Sequence, residues 1–403
     1  MNTFAFNKRY FYIYAITVFL LMCVSNQVMY TNHIPDAFLF LLSFVPFFFF
    51  YIFSQKIGVS QKNFSLIFFV GLLYFLLFIK HPNNGLFRLI VMCGGWLNIA
   101  SIILLSAKDK CKLLDIITNF IIVILIISSI GWILYLCGYG IPVYEYVDMH
   151  NDQHYLNNHF VFYDNAERDI FSIPRFRSVF IEPGQLATPC VYLFFARGGQ
   201  FKDWKNIVLL ISILLSFSLA GYVVLFLGII LNLIFVRRNV GIIKLLVLFS
   251  VMGTISFSII KAANEDNPLY SLIFERLEYD EETGISGNDR SDTVFDVNFN
   301  KFVNSGDILF GIGDEMAEGE VNWANHASGI KKYLVNFGIV GVVTMILLTL
   351  LLLRMNYCRA TLVFFIVIWT AYIVRDLLQS QFWLILAILG FFNLKNINRN
   401  NHF

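Results

Sequence analysis

The chain has 403 residues, 58% of them hydrophobic and 14% charged, with a mean hydropathy of +0.69. A soluble domain is roughly one quarter charged, so this composition excludes an ordinary soluble fold and points to an all-α, polytopic membrane protein. The net charge is +2, and the basic residues are scattered in short loops rather than gathered in a stripe, so nucleic acid is not expected as a partner.

Lys8 and Arg9 precede an apolar run that no small-residue cleavage site follows, which predicts a retained first span. A spanning helix needs roughly 20 apolar residues. Runs of that kind occupy residues 10–30, 37–53, 64–80, 88–106 and 113–137, then 179–196 and 244–260, then 333–353, 360–374 and 377–392. The uncharged stretch 207–236 is long for one span and short for two at about 1.5 Å per residue. Ser216, Ser218 and Gly221 interrupt it near the middle.

The positive-inside rule decides how to count it. With the N-terminus in the cytoplasm and 207–236 split in two, about 12 spans result. The inside loops then hold Lys56 and Lys62, Lys108 to Lys112, Arg197 to Lys205, Arg237 to Lys244, Arg354 and Arg359, and Lys395 and Arg399. A single span would put Arg237 and Arg238 outside. The predicted organisation is five spans over 1–137, a first outside loop over 138–178, four spans over 179–261, a large outside loop over 262–332, and three spans with a short tail over 333–403.

The large loop holds 15 of the 27 acidic residues and 5 of the 29 basic ones. Within it, 268–279 has the period of an amphipathic helix lying on the membrane. Residues 291–303 predict a second short helix that Ser291 could cap. Residues 284–288 and Gly311 to Gly313 read as turns. None of the six cysteines lies in either outside loop, so no disulfide is expected to hold them.

Three groups carry candidate chemistry. Arg175 and Arg177 lie just before a span, and Glu182 sits close to its outer end, ahead of Pro183. A carboxylate at that depth pairs with a cation or faces a polar cavity; either Glu182 pairs with Arg175 or Arg177 at a helix start, or it serves a site. Arg290 opens the predicted second loop helix. Its planar fork of donors suits a phosphate, while Asp289 and Asp292 offer the plainer reading of a solvated surface arginine. His326, behind Trp323, has an intrinsic pKa near neutrality and suits a general base, or is an interfacial histidine bonded to a neighbour. His150, His154 and His159 have passable metal spacing without the tight paired motifs of structural zinc sites, and no metal site is assigned. Lys80, Arg88, Arg375 and Asp376 fall near the outer face, where they line a polar cavity or extend toward water.

The order of motifs is more specific than its parts. Arg177-Ser178-Val179-Phe180-Ile181-Glu182-Pro183 comes first, then Ser216-Phe217-Ser218-Leu219-Ala220-Gly221-Tyr222, Arg290, Leu309-Phe310-Gly311-Ile312-Gly313, and the stretch from His326 to Gly341. This order resembles the bacterial O-antigen polymerase and O-antigen ligase superfamily, most closely a Wzy-type polymerase, over about residues 175–353. The first five spans match in hydropathy alone.

The resemblance implies a GT-C-like integral-membrane glycosyltransferase of the inner (cytoplasmic) membrane, with both large loops periplasmic. Its substrates would be undecaprenyl-diphosphate-linked oligosaccharides, and its partners membrane lipid and a chain-length regulator protein. The implied catalytic residues are His326 as base, with Arg290 and Arg177 on the diphosphate. Arg175, Glu182 and Trp323 would bind substrate. No metal or other cofactor is demanded, since fixed cations can stabilise the leaving group. Ligases of this superfamily often carry His-Asn where this chain has His326-Ala327, which favours a polymerase. The alternatives are a ligase, a capsule or exopolysaccharide polymerase, a flippase for lipid-linked oligosaccharides, and a non-catalytic scaffold. A flippase should carry more charge inside its spans and have smaller loops.

Overall fold

The structure is a computed structural model that describes residues 8–24, 36–53, 61–80, 85–148, 155–159, 161–165, 175–237, 279–280, 284–285, 293–313, 329–374 and 381–400. Helices dominate it. In chain order they are α1 (Lys8–Val24), α2 (Asp36–Phe53), α3 (Gln61–Ile79), α4 (Leu86–Leu104), α5 (Ala107–Leu136), α6 (Pro183–Ala196), α7 (Trp204–Leu215), and α8 (Leu219–Leu231), which runs into a π-helical turn at Asn232–Arg237. Then follow α9 (Thr293–Val303), a 3-10 turn at Gly306–Leu309, α10 (Ile330–Met355), α11 (Arg359–Val374) and α12 (Gln381–Asn400).

Among the described residues, five helical segments are long and apolar enough to cross a membrane: Gln61–Ile79, Leu86–Leu104, Ala107–Leu136, Leu219–Arg237 and Ile330–Met355. Their outward faces carry large apolar side chains such as Phe68, Phe75, Ile130, Val223 and Leu350. In water that exposure would be a liability; against lipid it is the expected surface.

The predicted split of 207–236 is present, since α7 ends at Leu215 and α8 begins at Leu219. The predicted helix at 291–303 is present as α9, and Gly311 and Gly313 both adopt positive φ, as a turn requires. Ser291, the surface helix expected at 268–279 and the span expected at 244–260 lie outside the described residues, apart from Tyr279, which pairs with Ile285 in a two-residue strand pair.

Three expectations need revision. The span predicted at 179–196 has helix only from Pro183 to Ala196, because Pro183 takes the first helical position and residues 175–182 form turns before it. At 14 residues, α6 is about 21 Å long, short of a bilayer core of roughly 30 Å. The span predicted at 333–353 is kinked at Gly338, whose φ of 66° leaves the helical region. The all-α expectation is not met in the first polar loop, which contains a three-stranded antiparallel meander, β1 (Glu145–Asp148), β2 (Tyr155–Asn158) and β3 (Tyr163–Asn165).

The chain divides into two compact units, one of Met1–Asn119, Ala196–Gly198 and Arg290–Phe403, the other of Phe120–Phe195 and Gly199–Asp289. In the first, α4 packs against α2, α3 and α12, and α3 packs against α10. Tyr14 and Ser101 share a buried hydrogen bond of 2.8 Å between α1 and α4. Several cations predicted to be cytoplasmic are tied down here. Arg197 meets Asp115 at 2.7 Å, Lys110 lies 3.8 Å over the Phe392 ring, and Lys395 bonds to the Met355 carbonyl. In the second unit, the meander and the turn before β3 lie on the end of α5. There the Ser128 hydroxyl donates to the Val161 carbonyl at 2.6 Å, and Tyr135 to Asp164 at 2.8 Å. His159 stacks on Phe162 with ring centres 4.5 Å apart.

Candidate functional site

Ending a helix at Leu215 releases carbonyls that a continuing helix would have bonded. Inside a membrane protein each needs another donor. The segment before α6 supplies them. The Phe176 amide donates to the Leu215 carbonyl at 3.1 Å, Arg175 Nε to Ser216 at 3.3 Å, and Arg175 Nη2 to Phe217 at 2.9 Å. The Tyr222 hydroxyl reaches back from α8 to the Leu214 carbonyl at 2.5 Å. A guanidinium at a helix C-terminus also faces the negative end of the dipole. Arg175, expected on substrate, thus holds the break between α7 and α8.

Arg177 lies two residues on, partly exposed, with Nη1 donating to the Ile181 carbonyl at 3.0 Å. That bond folds residues 177–181 into an elbow, which the Phe180 amide closes by donating to the Arg177 carbonyl at 3.0 Å. Glu182 stands exposed at the elbow's end, and its carbonyl accepts from the Gln185 and Leu186 amides at the start of α6.

Ser178 and Phe217 are, among the described residues, the non-glycine positions with positive φ, at 52° and 45°. Both belong to this junction. Such residues cost about 1–3 kcal/mol each and persist where surroundings over-determine them. Ser178 is buried, its hydroxyl donates to Ser128 at 2.7 Å and its carbonyl accepts the Tyr163 amide at 2.9 Å. Phe217 is held through its carbonyl by Arg175. On the other side of the break, Ser218 caps α8 by accepting from the Gly221 amide at 3.3 Å. Gly221 allows α8 to touch α6, since a Cβ there would lie 2.5 Å from that of Ala187.

A second cluster forms in the first unit. A Cβ on Gly338 would come within 2.4 Å of the Leu309 carbonyl oxygen, and one on Gly311 within 2.5 Å of the Asn336 carbonyl. The two backbones therefore cross in direct contact, and the Ile312 amide donates to the Val335 carbonyl at 2.8 Å. Phe295 and Phe302 of α9 pack on Val335, and Lys331 lies over the Phe295 and Phe299 rings at 5.8 and 5.5 Å. Lys80, just past the end of α3, donates Nζ to the Gly311 carbonyl at 2.8 Å.

Arg290, Trp323 and His326 lie outside the described residues. The elements that follow them in the chain, α9 after Arg290 and α10 after Trp323 and His326, are packed together through Phe295, Phe302 and Val335. Sequence reasoning missed the supports of both clusters, Ser128 and the β3 backbone in one and Lys80 in the other. No local signal marks these contacts, because the partners lie well outside a helical turn or strand: 15 positions for the Tyr163 amide, 33 and 50 for Ser128, and 231 for Lys80, whose place near the outer face is legible but whose partner is not.

No protein-family model, no curated protein and no solved structure matches this chain.

Proposed function

We propose that the chain is an O-antigen polymerase, a membrane glycosyltransferase that joins undecaprenyl-diphosphate-linked oligosaccharide units at the outer face of the bacterial cytoplasmic membrane. The observation that carries this reading is the pairing of its motifs. The arginine elbow at 175–183 and the interrupted helices at Ser216 to Ser218 are far apart in sequence yet build one junction. The Leu309–Gly313 turn and the Gly338 kink build another. Short motifs drawn together by chance in an apolar chain would have no reason to interlock.

In this reading the chain has twelve spans, and both polar loops are periplasmic. The hydroxyl at the non-reducing end of the acceptor attacks the anomeric carbon of the donor glycan. The new glycosidic C–O bond forms as the bond to the diphosphate breaks, undecaprenyl diphosphate leaves, and His326 takes the hydroxyl proton. Arg177 and Arg290 meet the growing charge on the diphosphate. Arg175 keeps Arg177 in place by holding the helix break beside it. Glu182 and Trp323 bind sugar. Membrane lipid surrounds the spans, and a chain-length regulator is the implied protein partner.

Deletion of the gene followed by a gel of surface lipopolysaccharide tests the proposal. A polymerase deletion leaves core carrying a single repeat unit. Core with no glycan at all, together with accumulated lipid-linked polymer, assigns the ligase reaction instead. An unchanged ladder rules out both.

A further inference from the structure

At the start of α7 and the end of α8, in the second unit, the chain forms a rim that the chemistry above does not use. The loop into α7 turns at Gly199, whose φ is 60°. A Cβ there would lie 2.4 Å from Asn232 Nδ2, at the start of the π-helical turn. Arg237, at the end of that turn, donates Nη2 to the Gly199 carbonyl at 2.9 Å. Asn206, buried on α7, donates Nδ2 to the Gln200 carbonyl at 2.9 Å. Residues 199–206 are therefore pinned to both helices.

The outer surface of this pinned rim is basic and aromatic. Phe201 and Trp204 are 44% and 57% exposed, Lys202 and Arg237 are exposed, and Lys205 is half-buried. Neither lysine has an ion pair among the described residues. Asp203, the one acid of the stretch, caps α7 by accepting from the Lys205 amide at 3.1 Å. The Arg237 guanidinium is held by Gly199 and lies 6.0 Å from the centre of the Phe201 ring, and a guanidinium has five donors. The charge rule that orients the chain puts these cations at the inner face, at the level of the headgroups. Three cations against one capping carboxylate, beside two exposed rings, complement a headgroup of net negative charge. A zwitterionic headgroup brings its own ammonium and matches the rim less well.

We infer that this rim binds an anionic phospholipid of the inner leaflet, with Lys202, Lys205 and Arg237 at its phosphate and Phe201 and Trp204 beside its glycerol and upper acyl chains. The rim stands on α7, whose 12 residues rise about 18 Å to the break that Arg175 holds, so the bound lipid fixes the depth of that junction in the membrane. The site rests on the orientation of the chain and not on the polymerase reaction. The test uses the full chain in nanodiscs of phosphatidylcholine with a small fraction of phosphatidylglycerol carrying a photoreactive acyl chain. Peptides covering 199–206 should take about fivefold more label from it than from phosphatidylcholine bearing the same chain, the scale of one basic residue at a charged surface. Lys202→Gln with Lys205→Gln should bring the two lipids to equal label. Lys62→Gln with Lys108→Gln removes two exposed cations from other predicted inside loops and should leave the preference intact. Inorganic phosphate, set against chloride at the same ionic strength, should not compete. Equal labelling of the wild type by both lipids, an unchanged preference without Lys202 and Lys205, or an equal loss without Lys62 and Lys108 would each overturn the site. Displacement by inorganic phosphate would overturn the lipid as its occupant. A wild-type protein that labels as described yet makes no polymer would refute the polymerase and leave the rim standing.

Discussion

Arg175 and Arg177 are two residues apart and of one type, yet their surroundings divide their work. Arg175 satisfies two carbonyls at a helix end, and a buried carbonyl left without a donor costs roughly 1–3 kcal/mol. Arg175→Met should therefore lower the melting temperature of the detergent-solubilised protein by several degrees. Arg175→Lys should restore only part of it, because an ammonium is a compact charge without the guanidinium's fork. Arg177 donates within its own elbow, to the Ile181 carbonyl, rather than to the broken helix end. Arg177→Lys should leave melting nearly unchanged and cut polymer formation about a hundredfold or more, the scale of losing one positioned donor in a transition state. A fall in activity that only tracks thermal stability would contradict this division. The sequence marks both arginines as candidates, but nothing local distinguishes them. The difference comes from Ser216 and Phe217, some forty residues on, and is visible only once the chain is folded.

The elements show the same limit in another form. The Ser216–Ser218 interruption is legible because serine capping acts within a turn of the residue concerned, whereas hydropathy alone carries the preceding span back to residue 179 and misses the helix start that Pro183 sets. The Gly338 kink is not legible either, since it answers to a turn more than twenty residues upstream. The β1–β3 meander escapes because its strands are three or four residues long, polar, and too short to display alternation. Two predictions follow the distinction. Ser218→Ala removes a local cap and should cost about 1 kcal/mol, a small shift in melting. Gly338→Ala must put a Cβ at positive φ, worth roughly 1–2 kcal/mol, and drive it against the Leu309 carbonyl. It should abolish the monodisperse peak on size-exclusion chromatography, where Gly140→Ala, whose added Cβ meets nothing within 4 Å, should leave it unchanged.

At the scale of the molecule, composition and hydropathy make the membrane assignment plain, and five long apolar helices agree with it. The orientation rests on charge. If 207–236 crosses twice, alkaline phosphatase fused within 138–178 or 262–332 should be active, and fused after Lys112 or Arg237 inactive. Activity after Arg237 would put the acidic loop inside and remove it from periplasmic substrates. The most direct measurement is polymerisation by the purified chain reconstituted with its host's undecaprenyl-diphosphate-linked repeat unit. The account predicts a ladder of lipid-linked oligomers from the wild type, lost in Arg177→Lys, Arg290→Lys and His326→Ala proteins that fold and reconstitute normally. A ladder of full length from all three variants would contradict it.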